Sequence, residues 1–232
     1  MLSVAPNGFE EVELADGIEL AVYTDGAGRA AIRELFANAA VTRVEPGWEE
    51  RWRSFHRPVW VGGLWIGPPW ETPPSRAPAL VIDPGRAFGT GAHATTRACI
   101  ELLATQEERG AVLDAGCGSG VVALAAARLG FSPVTAVDLD AVAVDVAREN
   151  ARRNGLSVDV RTMDVLRDEL PPADLVIANI ELEAIEALLA RVEAPRVIAS
   201  GYLAGELPVH AGWNLRETLE LEGWVAHVLT AS

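Results

Sequence analysis

An apolar stretch, Val112-Leu113-Asp114-Ala115, runs into Gly116-Cys117-Gly118-Ser119-Gly120; eighteen positions beyond the last glycine comes Asp138, with Leu139 and Asp140 after it. Glycine at every second position strips Cβ atoms from one turn. A ligand can then lie against main-chain N–H groups at the positive end of the helix that follows. Eighteen residues hold one helix and a return to a neighbouring parallel strand, which sets Asp138 beside the glycine turn. A carboxylate there can accept hydrogen bonds from both hydroxyls of a ribose. The pattern restricts this part of the chain to an α/β architecture with a site for an anionic nucleoside at the carboxyl edge of the sheet.

The spacing narrows the nucleoside. Dinucleotide sites carry G-x-G-x-x-G, whereas here the glycines fall at 116, 118 and 120 and position 121 is Val. The G-x-G-x-G run after an Asp two residues upstream resembles class I S-adenosylmethionine methyltransferases. The expected ligand is therefore S-adenosyl-L-methionine, with S-adenosylhomocysteine binding and NADH not.

The surrounding chain has three textures. Residues 1–45 offer two alternating apolar stretches (9–14 and 18–23), a helical pattern over 29–39 with Ile32, Leu35 and Phe36 on one face, and a third strand at 41–44. This predicts a small β-β-α-β appendage. Residues 46–79 hold five of the seven tryptophans, among them Trp48 and Trp52 on one face of a short helix with Phe55. Five prolines between 68 and 78 predict an extended, stiff connector, so 46–79 reads as a linker. Its aromatic residues are expected to pack appendage and linker onto the main domain rather than to stack on RNA bases.

From residue 80 to 232 strands and helices alternate, the mark of a parallel sheet covered on both faces. Strands are predicted near 111–114, 133–138, 158–162, 173–178 and 195–199, with helices near 94–105, 121–129, 141–153 and 181–191. Asn154-Gly155 supplies a left-handed stop to the third helix. Two further strands, near 214–220 and 224–230, predict an antiparallel edge. Gly116, Asp138, Asp164 and Asn179 then fall at the carboxyl ends of four successive strands, where open sheets of this kind bind ligands.

Composition sets outer limits. A formal charge of −14 disfavours duplex nucleic acid as the main partner and suits a basic protein. No apolar run reaches the ~18 residues of a membrane span. Residues 1–11 have no basic segment, so a cytoplasmic protein is expected. Cys99 and Cys117 read as free thiols, and without a cluster of ligating residues no metal is expected.

A second segment, Asp83-Pro84-Gly85-Arg86-Ala87-Phe88-Gly89-Thr90-Gly91-Ala92-His93-Ala94-Thr95-Thr96, is a glycine-bearing loop entering a helix. Thr95 or Thr96 could cap that helix or meet a ligand, and His93 reads as structural more readily than as a base. This loop resembles the signature of the ribosomal protein L-eleven methyltransferases, the PrmA-like family. The stretches 114–120, 137–140 and Ala178-Asn179-Ile180 match later motifs of that family in order. The likeness covers roughly residues 46 to 232. It implies a Rossmann-like, seven-stranded class I methyltransferase sheet and transfer of methyl groups to lysine or N-terminal amines of a ribosomal protein. Cofactor contacts carried over from the family fall on Thr96, Gly116, Asp138 and Asn179, with Gly118 and Leu139 beside them. Phe88 is implied against the methionine portion and Asp164 near the adenine amine.

Asp114 is expected to order the glycine turn, and Asn179 to orient the cofactor, the nucleophile or both. No base is evident for the amine, so deprotonation by solvent is expected. The family's N-terminal substrate domain is longer than what precedes Trp48, so the appendage is expected to be a shortened one. Asn179-Ile180-Glu181-Leu182 departs from the Asn-Pro-Pro-Tyr of glutamine and adenine methyltransferases, which makes those targets less suitable. Two alternatives stand beside the leading one: methylation of another protein lysine or a small amine, and a non-catalytic module that binds the cofactor and a partner.

Overall fold

The computed structural model describes residues 10–14, 17–21, 32–33, 36, 39–40, 57–83 and 91–232. The chain divides into two compact units, Met1–Trp52 and Arg53–Ser232. In the first, β1 (Glu10–Leu14) and β2 (Gly17–Ala21) pair antiparallel from Glu10 opposite Ala21 to Leu14 opposite Gly17. Ile32 and Arg33 are helical, and the Phe36 N–H donates to the Ile32 carbonyl at 2.8 Å. The predicted strand at 41–44 and the helix carrying Trp48, Trp52 and Phe55 lie outside the described residues.

The second unit is built on a sheet of seven strands among the described residues, in the order β11-β12-β10-β9-β6-β7-β8. Its central strands are β6 (Val112–Ala115), β7 (Val134–Asp138), β8 (Asp159–Thr162), β9 (Leu175–Asn179) and β10 (Arg196–Leu203), all paired parallel. β12 (Trp224–Ala231) runs antiparallel to β10, and β11 (Trp213–Leu221) closes the edge antiparallel to β12. Strands such as Leu175-Val176-Ile177-Ala178 are apolar throughout because both faces are covered. Leu113, Ala115, Val176 and Ala178 face a cluster with α4 (Leu182–Leu189). Val112, Leu175 and Ile177 face the opposite cluster. There α1 (Ala94–Thr105), α2 (Val121–Arg128) and α3 (Ala141–Asn154) pack. These strands and helices match the predicted ones to within a few residues at each end.

Each helix end has a local cause. The Asp140 side chain caps α3 by accepting from the Val142 N–H, and Gly155 ends it at φ +61°, the left-handed stop foreseen from Asn154-Gly155. α1 is different from expectation. Its cap is His93, whose Nδ1 lies 2.8 Å from Thr95 Oγ1 and accepts from the Thr95 N–H, so neither Thr95 nor Thr96 serves as cap. Both threonines stand inside the first turn and are buried.

The linker expected over 46–79 is also corrected in its described part, from residue 57 on. β3 (Val59–Val61), β4 (Leu64–Gly67) and β5 (Ala79–Val81) form a separate sheet, β3 antiparallel and β5 parallel to β4. Leu64, Ile66 and Leu80 are fully buried in the cluster with α1 and α2, so residues 57–83 are part of the main unit rather than a linker to it. The prolines occupy the passage from β4 to β5, where they leave the pairing of both strands intact. No helix among the described residues is long and apolar enough to cross a membrane.

Candidate functional site

The carboxyl ends of β6, β7 and β9 lie side by side, because these strands are hydrogen-bonded neighbours. Between them and α1 lies a cleft lined by Thr96, Asp114, Gly116, Cys117, Gly118 and Asn179, with Val121 and Val122 of α2 as its apolar part. Its enclosed volume is about 30 Å3, room for one or two waters. A nucleoside-sized ligand would seat one end here and spread over the strand ends toward Asp138.

The glycine turn is fixed by its own packing. The N–H groups of Gly116 and Cys117 both donate to the Val137 carbonyl at 2.9 Å, bracing the turn against β7. Gly116 has φ +78°, and a Cβ on it would stand 2.5 Å from Ile180 Cγ2. Gly120 has φ +81°, and its Cβ would meet Ala147 Cβ at 2.9 Å. These two positions thus demand glycine for conformation and for room against Ile180 and α3. The Gly116 and Cys117 N–H groups go to Val137 and that of Gly118 to Asp138, where the sequence pattern led us to expect them facing a ligand.

The Asp138 carboxylate locks the same turn from the other side. Its Oδ2 accepts from the Gly118 N–H at 2.8 Å and its Oδ1 from the Asp140 N–H at 2.9 Å. A carboxylate has about four lone-pair sites, so each oxygen keeps one for a ribose hydroxyl. Leu139, next in the chain, is 71% exposed, an apolar side chain left in solvent at the strand end. Asp114 is buried and accepts from the Ala123 N–H at 2.9 Å, tying β6 to the first turn of α2, which is the ordering role expected of it. Burial pushes its carboxyl up to about 7; the Ala123 N–H opposes that rise and the charge of Asp138 adds to it. Burial also pushes the Cys117 thiol far up, so it is no thiolate nucleophile.

Asn179 ends β9, and its Nδ2 donates to Thr96 Oγ1 at 3.4 Å, joining two residues 83 positions apart. Ile180 behind it is held on both sides: its side chain fills the space over Gly116, and its backbone lies against Gly201, where β10 bulges at φ +111°. The sequence reading overlooked Gly201; a glycine inside an apolar strand run was the available signal.

Asp164 lies just past β8, but its carboxylate is engaged locally. Oδ1 accepts from the Leu166 N–H at 3.0 Å and Oδ2 lies 3.4 Å from Arg167 Nε. It does not line the cleft. Phe88 falls outside the described residues. His93 packs edge-on to Trp224 with ring centroids 5.1 Å apart, and its pKa is lowered by burial and then by Arg97, with Glu222 opposing. That fits the structural part read for it. Among the described residues no group of three or more His, Cys, Asp or Glu side chains could hold a metal ion.

The donor and acceptor set suits S-adenosylmethionine. The cleft offers glycine-turn backbone at Gly116 and Gly118, the amide of Asn179 and the hydroxyl of Thr96 for an amino-acid end, and spare lone pairs at Asp138 for a ribose. Residues 26–231 match the family described as ribosomal protein L11 methyltransferase (PrmA). The chain belongs to that family. It is 40% identical over 199 residues to the ribosomal protein L11 methyltransferase of Exiguobacterium sp., an alignment covering 78% of this chain and 64% of that one. The enzyme of the same name from Symbiobacterium thermophilum is 40% identical over 199 residues, covering 78% and 65%. The chain thus spans just under two thirds of the length of these relatives. Among solved structures, the ribosomal protein L11 methylase of Lactobacillus delbrueckii subsp. bulgaricus superposes with a TM-score of 0.68 at 27% identity, covering 76% of this chain and 99% of that one. The seven-stranded class I methyltransferase sheet is shared.

Proposed function

We propose that this protein is an S-adenosylmethionine-dependent N-methyltransferase whose acceptors are amino groups, lysine or N-terminal, of ribosomal protein L11. The observation that carries this reading is the convergence of Thr96, Gly116, Gly118 and Asn179 on one cleft with Asp138 at its rim, in a chain of the PrmA family.

When bound, S-adenosylmethionine supplies a methyl group already activated by a positive sulfur. The chain's residues then align and desolvate, which can supply up to ~7–11 kcal/mol of the barrier. The Gly116 and Gly118 carbonyls accept from the ammonium of the amino-acid end, since their N–H groups are engaged with Val137 and Asp138; Asp138 accepts from the ribose hydroxyls, and exposed Leu139 gives the nucleoside an apolar contact. Asn179 donates through Nδ2 to Thr96, so its Oδ1 is the acceptor that can receive an N–H from the incoming amine. The family resemblance implies Phe88 at the methionine end and Asp164 near the adenine amine; Phe88 lies outside the described residues, and Asp164 would have to turn from Leu166 and Arg167 to reach an adenine. The charge of −14 suits a basic protein partner and a cytoplasmic ribosomal one.

Incubation with methyl-labelled cofactor and either purified ribosomal protein L11 or a whole-cell extract tests the proposal. A single labelled band at L11 is expected. A different band would move the substrate to another protein, and no band despite binding of S-adenosylhomocysteine would leave a cofactor-binding module without transferase activity.

A further inference from the structure

Asn150 lies on the face of α3 that otherwise buries Ala143, Val144, Ala147 and Ala151, and no part of it reaches solvent. A buried amide is costly unless its hydrogen bonds are made, and here they join two distant stretches. Its Oδ1 accepts from the Asp83 N–H at 3.0 Å, and its Nδ2 donates to the Asp83 carbonyl at 3.1 Å and to the Ser119 carbonyl at 3.0 Å. Ser119 belongs to the glycine turn. Asp83 opens the 83–96 segment whose far end is Thr96, on the wall of the cleft.

One helical turn later, Asn154 repeats half of this arrangement. Its Oδ1 accepts from the Val81 N–H and its Nδ2 donates to the Val81 carbonyl, both at 2.8 Å. Positions four apart on a helix are about 6 Å apart along its axis, and alternate residues of a strand about 6.7 Å. Two asparagines of α3 can therefore pair with Val81 and Asp83 much as a neighbouring strand would, along the edge that β5 presents away from β4. Only Asn150 also reaches the glycine turn. Arg153 reinforces the contact, its Nη1 lying 3.2 Å from the Asp83 carboxylate.

We infer that Asn150 is a positioning residue for the cofactor: it fixes the glycine turn at Ser119 against the end of β5 at Asp83, and so holds the turn that lines the cleft at Gly116 and Gly118. The inference rests on the cleft being the S-adenosylmethionine site. Asn154 is the natural control, since it holds β5 to the same helix without touching Ser119 or Asp83.

Titration calorimetry with S-adenosylhomocysteine on the full chain, alongside thermal unfolding, separates the two roles. Asn150→Ala is expected to weaken binding at least tenfold, and Asn154→Ala by less than about threefold, even where both lower the melting temperature similarly. Asn150→Asp keeps the shape and the acceptor for Asp83 N–H but turns an oxygen toward the two carbonyls. It is expected to weaken binding as much as the alanine variant, and it decides the matter if that variant does not fold. In turnover the Asn150 variants should raise KM for S-adenosylmethionine with kcat within about threefold. Wild-type affinity in an Asn150 variant, or equal weakening by Asn154→Ala, overturns the inference. No binding by the unaltered protein overturns the cofactor reading instead.

Discussion

Strands β6 and β7 are four- and five-residue runs, apolar except at Asp114, Thr135 and Asp138, joined by a helix that starts at the glycine turn. Strands β3, β4 and β5 have three or four residues each, are separated by Gly62-Gly63 and by a proline-rich passage, and have no helix between them. Yet Leu64, Ile66 and Leu80 are buried in the same cluster as Leu124 and Val134. The second set is held from far away: Asn154 grips Val81 across 73 positions, and the Gly62 N–H donates to Glu101 Oε1 across 39. The first region builds the edge proposed to hold the cofactor and the second covers the helices behind it. Substitutions should therefore fall on binding in one and on stability in the other.

The largest effect is expected at the ligand edge. Asp138→Ala releases the Gly118 N–H and, with the proposed cofactor, removes the acceptor for two ribose hydroxyls. Hydrogen bonds to a charged group are worth about 1.5–3 kcal/mol each, so two lost bonds correspond to roughly two to four decades in affinity. Calorimetry with S-adenosylhomocysteine measures this, and unaltered affinity would put the nucleoside elsewhere. Next comes Ile66→Ala in β4. A fully buried isoleucine costs about 2–5 kcal/mol when truncated, readable by urea unfolding. A cost near zero would restore the linker reading of 46–79 and dissolve the contrast.

The contrast also explains what was legible in the sequence. The parallel strands, the helices between them and the ends where Gly116, Asp138 and Asn179 converge follow from local pattern and spacing. The sheet of β3, β4 and β5 does not, because strands of three residues carry too few positions to show a period and proline reads as an interruption. The cap at His93 escaped because threonine is the commoner cap, and the site's second layer, Asn150 and Gly201, because its contacts join residues 67 and about 20 positions apart. A polar residue on the buried stripe of α3 was the one local sign of Asn150.

A third effect is a slope rather than a step. The Asp114 carboxyl titrates near 7 in the fold, above its ordinary value of 3.8, because burial penalises its charge. The folded state then binds the proton more tightly than the unfolded chain. The stability this shift contributes is complete below about pH 4 and is lost as pH rises through about 7. Asp114→Asn keeps an oxygen for the Ala123 N–H and removes the charge, so it removes the slope. The stability difference between wild type and variant should move against the wild type by up to about 1.4 kcal/mol per pH unit between pH 4 and 7 and then level off. Unfolding titrations at four or five pH values measure it, and parallel curves would mean that Asp114 is already ionised in the fold.

The smallest effect separates two tryptophans within the less legible region. Trp60 and Trp65 are directly opposed on β3 and β4, so their side chains leave the sheet on the same face. Trp65 is 5% exposed and its ring covers Gly67, where a Cβ would collide with it; Trp60 is 60% exposed. Truncating Trp60 to alanine forfeits little more than a cross-strand aromatic contact, about 1 kcal/mol or less, and should leave S-adenosylhomocysteine affinity unchanged. Trp65→Ala should cost about 3–5 kcal/mol, the range for a buried aromatic. Equal losses at the two positions would mean that Trp60 is covered in solution by something beyond the residues described around it, and the outer face of β3 would then count as core.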